Sequence, residues 1–170
     1  KEGQERQVTL DYRIPNDVAI LGFANSGKTS LFNALTGQNS KVAHYPFTTT
    51  SCFWANCEYE FKRFSILDTP PFKKSKDSSN LGQNYFLRHI FRSKILLLLS
   101  DKASGADEDF KDLKKEISLV QPSLIKGKKI FYLLSKVDTI DKEARGKNLR
   151  FSVKDPESIE KLKKKIAKSL

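Results

Sequence analysis

Apolar positions along the chain fall into short runs and one helical stripe. Val18 to Leu21 is a brief apolar run of the kind that forms a buried strand, and Lys94 to Ser100 and Lys129 to Ser135 are two more, each preceded by helical pattern. Ser51 to Cys57 and Phe61 to Leu67 lie close enough in sequence to pair as an antiparallel hairpin, while Arg6 to Ile14 alternates like an exposed strand. Between them Lys28 to Leu35 reads as a helix, with Leu31, Ala34 and Leu35 inward and Thr36-Gly37 closing it. Ile159, Leu162, Ile166 and Leu170 make the stripe of a final helix, opened by Asp155 as N-cap and Pro156 as first helical residue. The alternation predicts a mixed α/β sheet, without internal repeats.

Composition narrows this to one domain. The chain has 170 residues, 38% of them hydrophobic, which is enough to bury a core. Its longest apolar run, Ile95 to Leu99, is strand-sized, and Lys1 to Gln7 holds no signal-peptide core, so a cytoplasmic protein without a membrane span is expected. The absence of methionine predicts a piece excised from a longer chain. Cys52 and Cys57 match no zinc spacing and on one strand would face opposite ways, which argues against a disulfide or metal pair.

The formal charge of +11 bears on partners rather than on fold. Lysines cluster at 73, 74 and 76, at 126, 128 and 129, and at 161, 163, 164, 165 and 168. The last group fills the wet face of the final helix, or else forms a surface for RNA. Aromatics are not interleaved with these clusters, so stacking on single-stranded bases is not expected.

The chemistry begins at Gly22-Phe23-Ala24-Asn25-Ser26-Gly27-Lys28-Thr29, which satisfies G-x-x-x-x-G-K-[ST] between a strand and a helix. A polyphosphate needs several convergent N–H donors; Gly22 and Gly27 permit the tight turn, and the helix N-terminus adds positive potential. Lys28 is placed to reach the β and γ phosphates, and Thr29 to offer its hydroxyl to Mg²⁺. Asp68, ending an apolar strand, reads as the carboxylate that holds Mg²⁺ through water, the alternative being a plain strand-ending Asp. Ser135-Lys136-Val137-Asp138 follows a buried strand; the Asp138 carboxylate can accept two N–H donors from guanine, a pair that adenine lacks, and the Lys136 stem can cover the base.

Thr29 to Gly37, then Val42-Ala43-His44-Tyr45-Pro46-Phe47-Thr48-Thr49-Thr50, and Phe86-Leu87-Arg88-His89-Ile90 resemble the Obg family of translation-factor-class GTPases. The resemblance covers most of the chain. It implies a Ras-like P-loop fold with a mixed six-stranded sheet flanked by helices on both faces. Residues 1–15 resemble the tail of that family's glycine-rich N-terminal domain, leaving 16–170 as the G domain. By motif, Thr49 would coordinate Mg²⁺ and touch the γ phosphate, carried by a switch segment that includes Phe47. Ser152-Val153-Lys154 resembles the stretch whose backbone N–H meets the guanine oxygen. Ser26 and Ser30 complete the nucleotide-contacting set, and Lys28, Thr49 and Asn25 are the catalytic candidates. His44 and His89 are read as decoration and helix packing.

The chain departs from the family pattern at two places. Pro71 stands at the glycine of Asp-x-x-Gly and has no N–H to give to a γ phosphate; Phe72 beside it stands where Ras-like GTPases carry a catalytic Gln, but there the resemblance itself implies a hydrophobic residue and hydrolysis that needs help from elsewhere. Ser135 replaces an Asn whose amide ties the base loop to the phosphate loop, so loss of that tie is expected. Asn25 matches the position at which some GTPases without the Gln place a ligand for K⁺. The resemblance implies a regulatory GTPase that hydrolyses GTP slowly with Mg²⁺, with K⁺ as a candidate second cation, and acts with the large ribosomal subunit or its rRNA in assembly or stress control. DNA is not among the implied partners. The alternatives are a degenerate module that holds GDP or GTP without turnover, and a P-loop ATPase or small kinase, against which Asp138 and the Thr49 segment argue.

Overall fold

The computed structural model describes residues 3, 5–8, 15–37, 43–44, 52–72, 86–102, 105–135 and 149–170. Among these residues seven strands form one sheet: β1 Val18–Gly22, β2 Ala43–His44, β3 Phe53–Tyr59, β4 Lys62–Asp68, β5 Ile95–Ser100, β6 Lys129–Leu134 and β7 Leu149–Arg150, in the order β2-β3-β4-β1-β5-β6-β7. β1 pairs in parallel with β4 and β5, β5 with β6, and β6 with β7; β3 runs antiparallel to both β2 and β4. The sheet is therefore mixed, as expected, and the β3–β4 hairpin is where the pattern placed it. The seven include two-residue ladders, β2 and β7, at the two edges. Arg6 to Val8 belong to no strand and are exposed, against the expected alternating strand; residues 9–14 lie outside the description.

Among the described residues three α-helices cover the sheet: α1 Lys28–Thr36, α2 Ala106–Val120 and α3 Pro156–Ala167. The period of two along each central strand divides its side chains between two cores. Val18, Ile20, Ile66, Ile95, Leu97 and Leu99 face Leu31, Phe32 and Leu35 of α1 and Ile159, Leu162 and Ile166 of α3. Ala19, Leu21, Leu67, Leu96 and Leu98 face Phe110, Leu113 and Ile117 of α2, together with Phe86, Leu87 and Ile90 of the 3-10 segment 86–92. Burial on both faces is why β1 and β5 read as unbroken apolar runs. Each such side chain removed from water stabilises the fold by about 1.5–3 kcal/mol. The two cysteines split as predicted, Cys52 to the second core and Cys57 to the first, and both are free thiols. Among the described residues no helix is long and apolar enough to cross a membrane.

The α3 entrance follows its sequence signal: Asp155 Oδ1 accepts the Glu157 N–H at 3.1 Å, and Pro156 follows the cap. Parallel pairing brings the carboxyl ends of β1, β4, β5, β6 and β7 to one pole. The segments leaving those ends hold most of the candidate residues.

Candidate nucleotide site

The loop from Gly22 to Gly27 is shaped by two glycines. A Cβ on Gly22 would collide with the Ser26 side chain and come within 2.8 Å of the Leu99 carbonyl oxygen, so only glycine lets β1 and the loop lie this close to β5. Gly27 takes φ +87°, which turns the chain into α1. Asn25 also has positive φ, +62°, a conformation that Asn tolerates better than most residues. Buried Ser26 locks the turn from within, its Oγ donating to the Phe23 carbonyl at 2.9 Å.

No acidic residue stands in the first turn of α1, so its positive end is left uncompensated. α2 differs: Asp107, Glu108 and Asp109 occupy its first turn and neutralise that end. Of these two helix starts, only the one at Lys28 suits an anion. Lys28 is buried, its Nζ donating to the Phe23 carbonyl at 2.7 Å. Burial lowers its pKa, opposed by the charges of Asp68 and then Asp101.

Thr29 Oγ1 donates to Asp68 Oδ2 at 2.7 Å. Asp68 Oδ1 is buried without a hydrogen-bond partner. Burial pushes the Asp68 carboxyl up to about 6, against the Thr29 hydrogen bond and the Lys28 charge, which hold it down. A buried carboxylate oxygen lacking a donor is costly and is relieved by a cation. One carboxylate and one hydroxyl are a sparse ligand set, which matches the habit of Mg²⁺ to take the rest of its shell from phosphates and water. The residues present therefore fit Mg²⁺, and the cation would neutralise charge on the phosphates.

Beside these groups opens a cleft of ≈ 730 Å³ lined by Asn25, Gly27, Lys28, Thr29, Ser30, Phe53, Asp68 and the Thr69-Pro70-Pro71 stretch. Phe53 and Thr69 are additions to the sequence-derived set. Thr69 Oγ1 donates to the Ile20 carbonyl at 2.7 Å, fastening the segment after Asp68 to β1, and no signal in the sequence marks it. Pro71 is exposed at the cleft. Phe72 turns away: its N–H donates to the Gly22 carbonyl at 3.1 Å, and its ring is buried edge-on to Phe86 at 5.3 Å.

Ser135 is buried behind the loop, where its Oγ donates to the Ser26 carbonyl at 2.9 Å and its N–H to the Ser100 carbonyl at 3.0 Å. The expected loss of the tie does not occur: a hydroxyl reaches the phosphate loop. The Phe151 N–H donates to the Leu134 carbonyl at 3.0 Å, so the turn after β7 emerges beside Ser135 at the same pole. In that turn Ser152 Oγ accepts the Lys154 N–H at 3.2 Å, and Val153 is exposed. Phe47, Thr49, Lys136 and Asp138 lie outside the described residues, as does the His44 side chain; His89 is buried in the packed 3-10 segment.

The 50S ribosome-binding GTPase family matches this chain over residues 17–136. Over 146 residues the chain is 36% identical to the GTPase Obg of Protochlamydia amoebophila, covering 82% of this chain and 42% of that protein. Over 147 residues it is 33% identical to the GTPase Obg of Deinococcus radiodurans, covering 82% of this chain and 33% of that one. The chain thus spans less than half the length of these relatives. Among solved structures, the G domain of the T. maritima FeoB iron transporter superimposes with a TM-score of 0.61 at 24% identity, covering 92% of this chain and 99% of that one. An S. thermophilus NFeoB mutant bound to GDP gives 0.63 at 21%, covering 91% of this chain and 62% of that one. These two likenesses support the fold alone. The match over most of the chain, with the loop, lysine and carboxylate gathered at one cleft, makes this chain a member of the 50S ribosome-binding GTPase family, similar in sequence to the G domain of Obg.

Proposed function

We propose that the chain binds GTP and GDP with Mg²⁺ in the cleft beside α1 and hydrolyses GTP slowly. The observation that carries this is the Thr29–Asp68 pair, with its buried unpartnered oxygen, beside an acid-free helix start. In this reading the Gly22–Thr29 loop and α1 bind the phosphates and Lys28 holds the β and γ groups. Thr29, Asp68 and Thr49 hold Mg²⁺, and Lys136, Asp138 and the Ser152-Val153-Lys154 turn read the base. The names of its relatives suggest work with the large ribosomal subunit, and the net positive charge is compatible with rRNA. Competition of GTP, GDP and ATP against a labelled GDP tests the site; equal displacement by ATP sinks the guanine reading.

With Phe72 in the core, the side chain at that position does not orient a water for attack. Asn25, at the rim of the cleft, is placed in this reading to hold a K⁺ that offsets developing charge. Hydrolysis should then run faster in K⁺ than in Na⁺, and Asn25→Gly, which keeps the positive φ, should erase the difference. Equal wild-type rates in the two salts reduce Asn25 to a turn residue.

A second reading, a module that binds guanine nucleotide with little turnover, is favoured by the Phe72–Gly22 bond and by Pro71, which together fix the start of the second switch. Single-turnover hydrolysis of bound GTP separates the two.

A further inference from the structure

The amino-terminal ends of the parallel strands form a second pole, opposite the cleft, and lysines crowd there. Lys62 opens β4, and its Nζ donates to the Ala167 carbonyl at 2.7 Å. Lys129 opens β6 and donates to the Ser169 carbonyl at 2.6 Å, so two ammonium groups converge on the end of α3. Lys128 donates to the carbonyls of Phe91, at 2.7 Å, and Ser93. These acceptors are backbone carbonyls rather than carboxylates, so three cations are held in fixed positions, offset only by the partial negative charge at the end of α3. Exposed Lys168, just past α3, and Lys126, in the turn before β6, add to the same field. Of the acids nearby, Asp17 is engaged with Lys94 at 3.5 Å and with Ser65, and Glu58 with Arg63 at 3.7 Å, while exposed Glu60 precedes Phe61 at the hairpin tip.

One aromatic stands in this field without cover. Phe61 sits at the β3–β4 hairpin tip, after Glu60 with φ +52°, and at 106% relative exposure its ring packs on nothing. A bare phenyl contributes nothing to the fold and is a ready platform for a planar base. Phe91, 42% exposed, accepts Lys128 at its backbone carbonyl. The separation of aromatics from lysines read along the sequence thus disappears in space.

We propose that this pole binds single-stranded RNA, with phosphates on the fixed lysines and a base stacked on Phe61. The inference rests on the reading that the chain works with RNA; it gives that RNA a surface remote from the nucleotide cleft and independent of it.

The test is fluorescence anisotropy of a labelled twelve-nucleotide RNA of mixed sequence with the whole chain, with labelled GDP binding measured on the same samples. Phe61→Ala should weaken RNA binding about tenfold, the scale of one lost stacking contact. Lys126→Gln with Lys168→Gln should weaken it further and flatten the dependence of log affinity on log salt by about one. Both variants should bind GDP as wild type does, since neither touches the cleft. RNA affinity unchanged by both variants, or no binding of RNA by wild type at ~10 µM in 0.1 M salt, overturns the proposal. Equal affinity for single-stranded DNA or for duplex RNA removes the RNA assignment. Polyglutamate binding as tightly as RNA would assign the pole to an acidic protein. Loss of GDP binding by wild type would strike the cleft reading instead and leave the pole standing.

Discussion

The Ser135 hydroxyl donates to the Ser26 carbonyl at 2.9 Å, joining residues 109 positions apart and fixing the end of β6 to the back of the phosphate loop. The same residue's N–H bonds Ser100, whose own hydroxyl donates to buried Asp109 at 2.8 Å, with Lys102 on the other carboxylate oxygen at 2.8 Å. A chain of bonds therefore runs from the phosphate loop to the first turn of α2.

Ser135→Ala should lower stability by about 0.5–1.5 kcal/mol, the net worth of one such bond. It should also weaken GDP binding several-fold, because the loop loses its brace. Urea unfolding and GDP titration read the two effects. Ser135→Asn should bring little gain, since the bond already exists; a tenfold rise in GDP affinity would show that the hydroxyl is a poor substitute for the amide.

Pro71→Gly supplies an N–H at the cleft that proline lacks. A hydrogen bond to a charged oxygen contributes about 1.5–3 kcal/mol, so affinity for a non-hydrolysable GTP analogue should rise about ten- to a hundredfold while GDP affinity stays put. Equal affinities before and after mean that the switch never depended on that contact. Phe72→Gln should not accelerate hydrolysis; it should instead destabilise the fold by a few kcal/mol, because it removes a buried ring packed on Phe86.

Chelation separates the roles of Asp68. If its unpartnered oxygen awaits Mg²⁺, EDTA should loosen GDP from the wild type, and Asp68→Asn should bind GDP with the same weak affinity whether or not Mg²⁺ is present. A variant that keeps the full response to Mg²⁺ would place the cation elsewhere.

Burial pushes the Cys52 thiol up to about 12 and the Cys57 thiol up to about 11, the latter beside the Leu35 carbonyl at 3.0 Å. Iodoacetamide at pH 8 should modify neither in the folded chain and both in urea, as mass spectrometry would show. Because the folded values lie above the ordinary 9.0, the thiols' contribution to stability is complete below pH 9 and disappears as pH rises through 11 and 12. Cys57→Ala should make the alkaline loss of stability shallower.

What could be read in sequence is what local chemistry encodes. The apolar runs of β1 and β5 announce strands buried on both faces, Asp155-Pro156 announces α3, and the glycine spacing announces the loop before any contact is seen. Ends were less legible than centres: β3 is described from Phe53, although Cys52 before it already packs in the second core in step with the strand's alternation. The Ser135 tie, the Thr69 bond to Ile20 and the burial of Phe72 depend on elements brought together by the sheet, and no periodicity carries them. Phe61 reads in sequence as part of a strand, and only the hairpin turn leaves its ring bare.

The chain's single tryptophan, Trp54, pairs with Ala43 across β2 and β3, one residue from the Phe53 that lines the cleft, and its indole N–H donates to the Pro15 carbonyl at 3.0 Å. The molecule thereby carries an optical reporter at a junction of three segments: the entry to β1, the edge ladder and the cleft wall. Its emission responds to any rearrangement that breaks the Pro15 contact, without a label and without a background from other indoles.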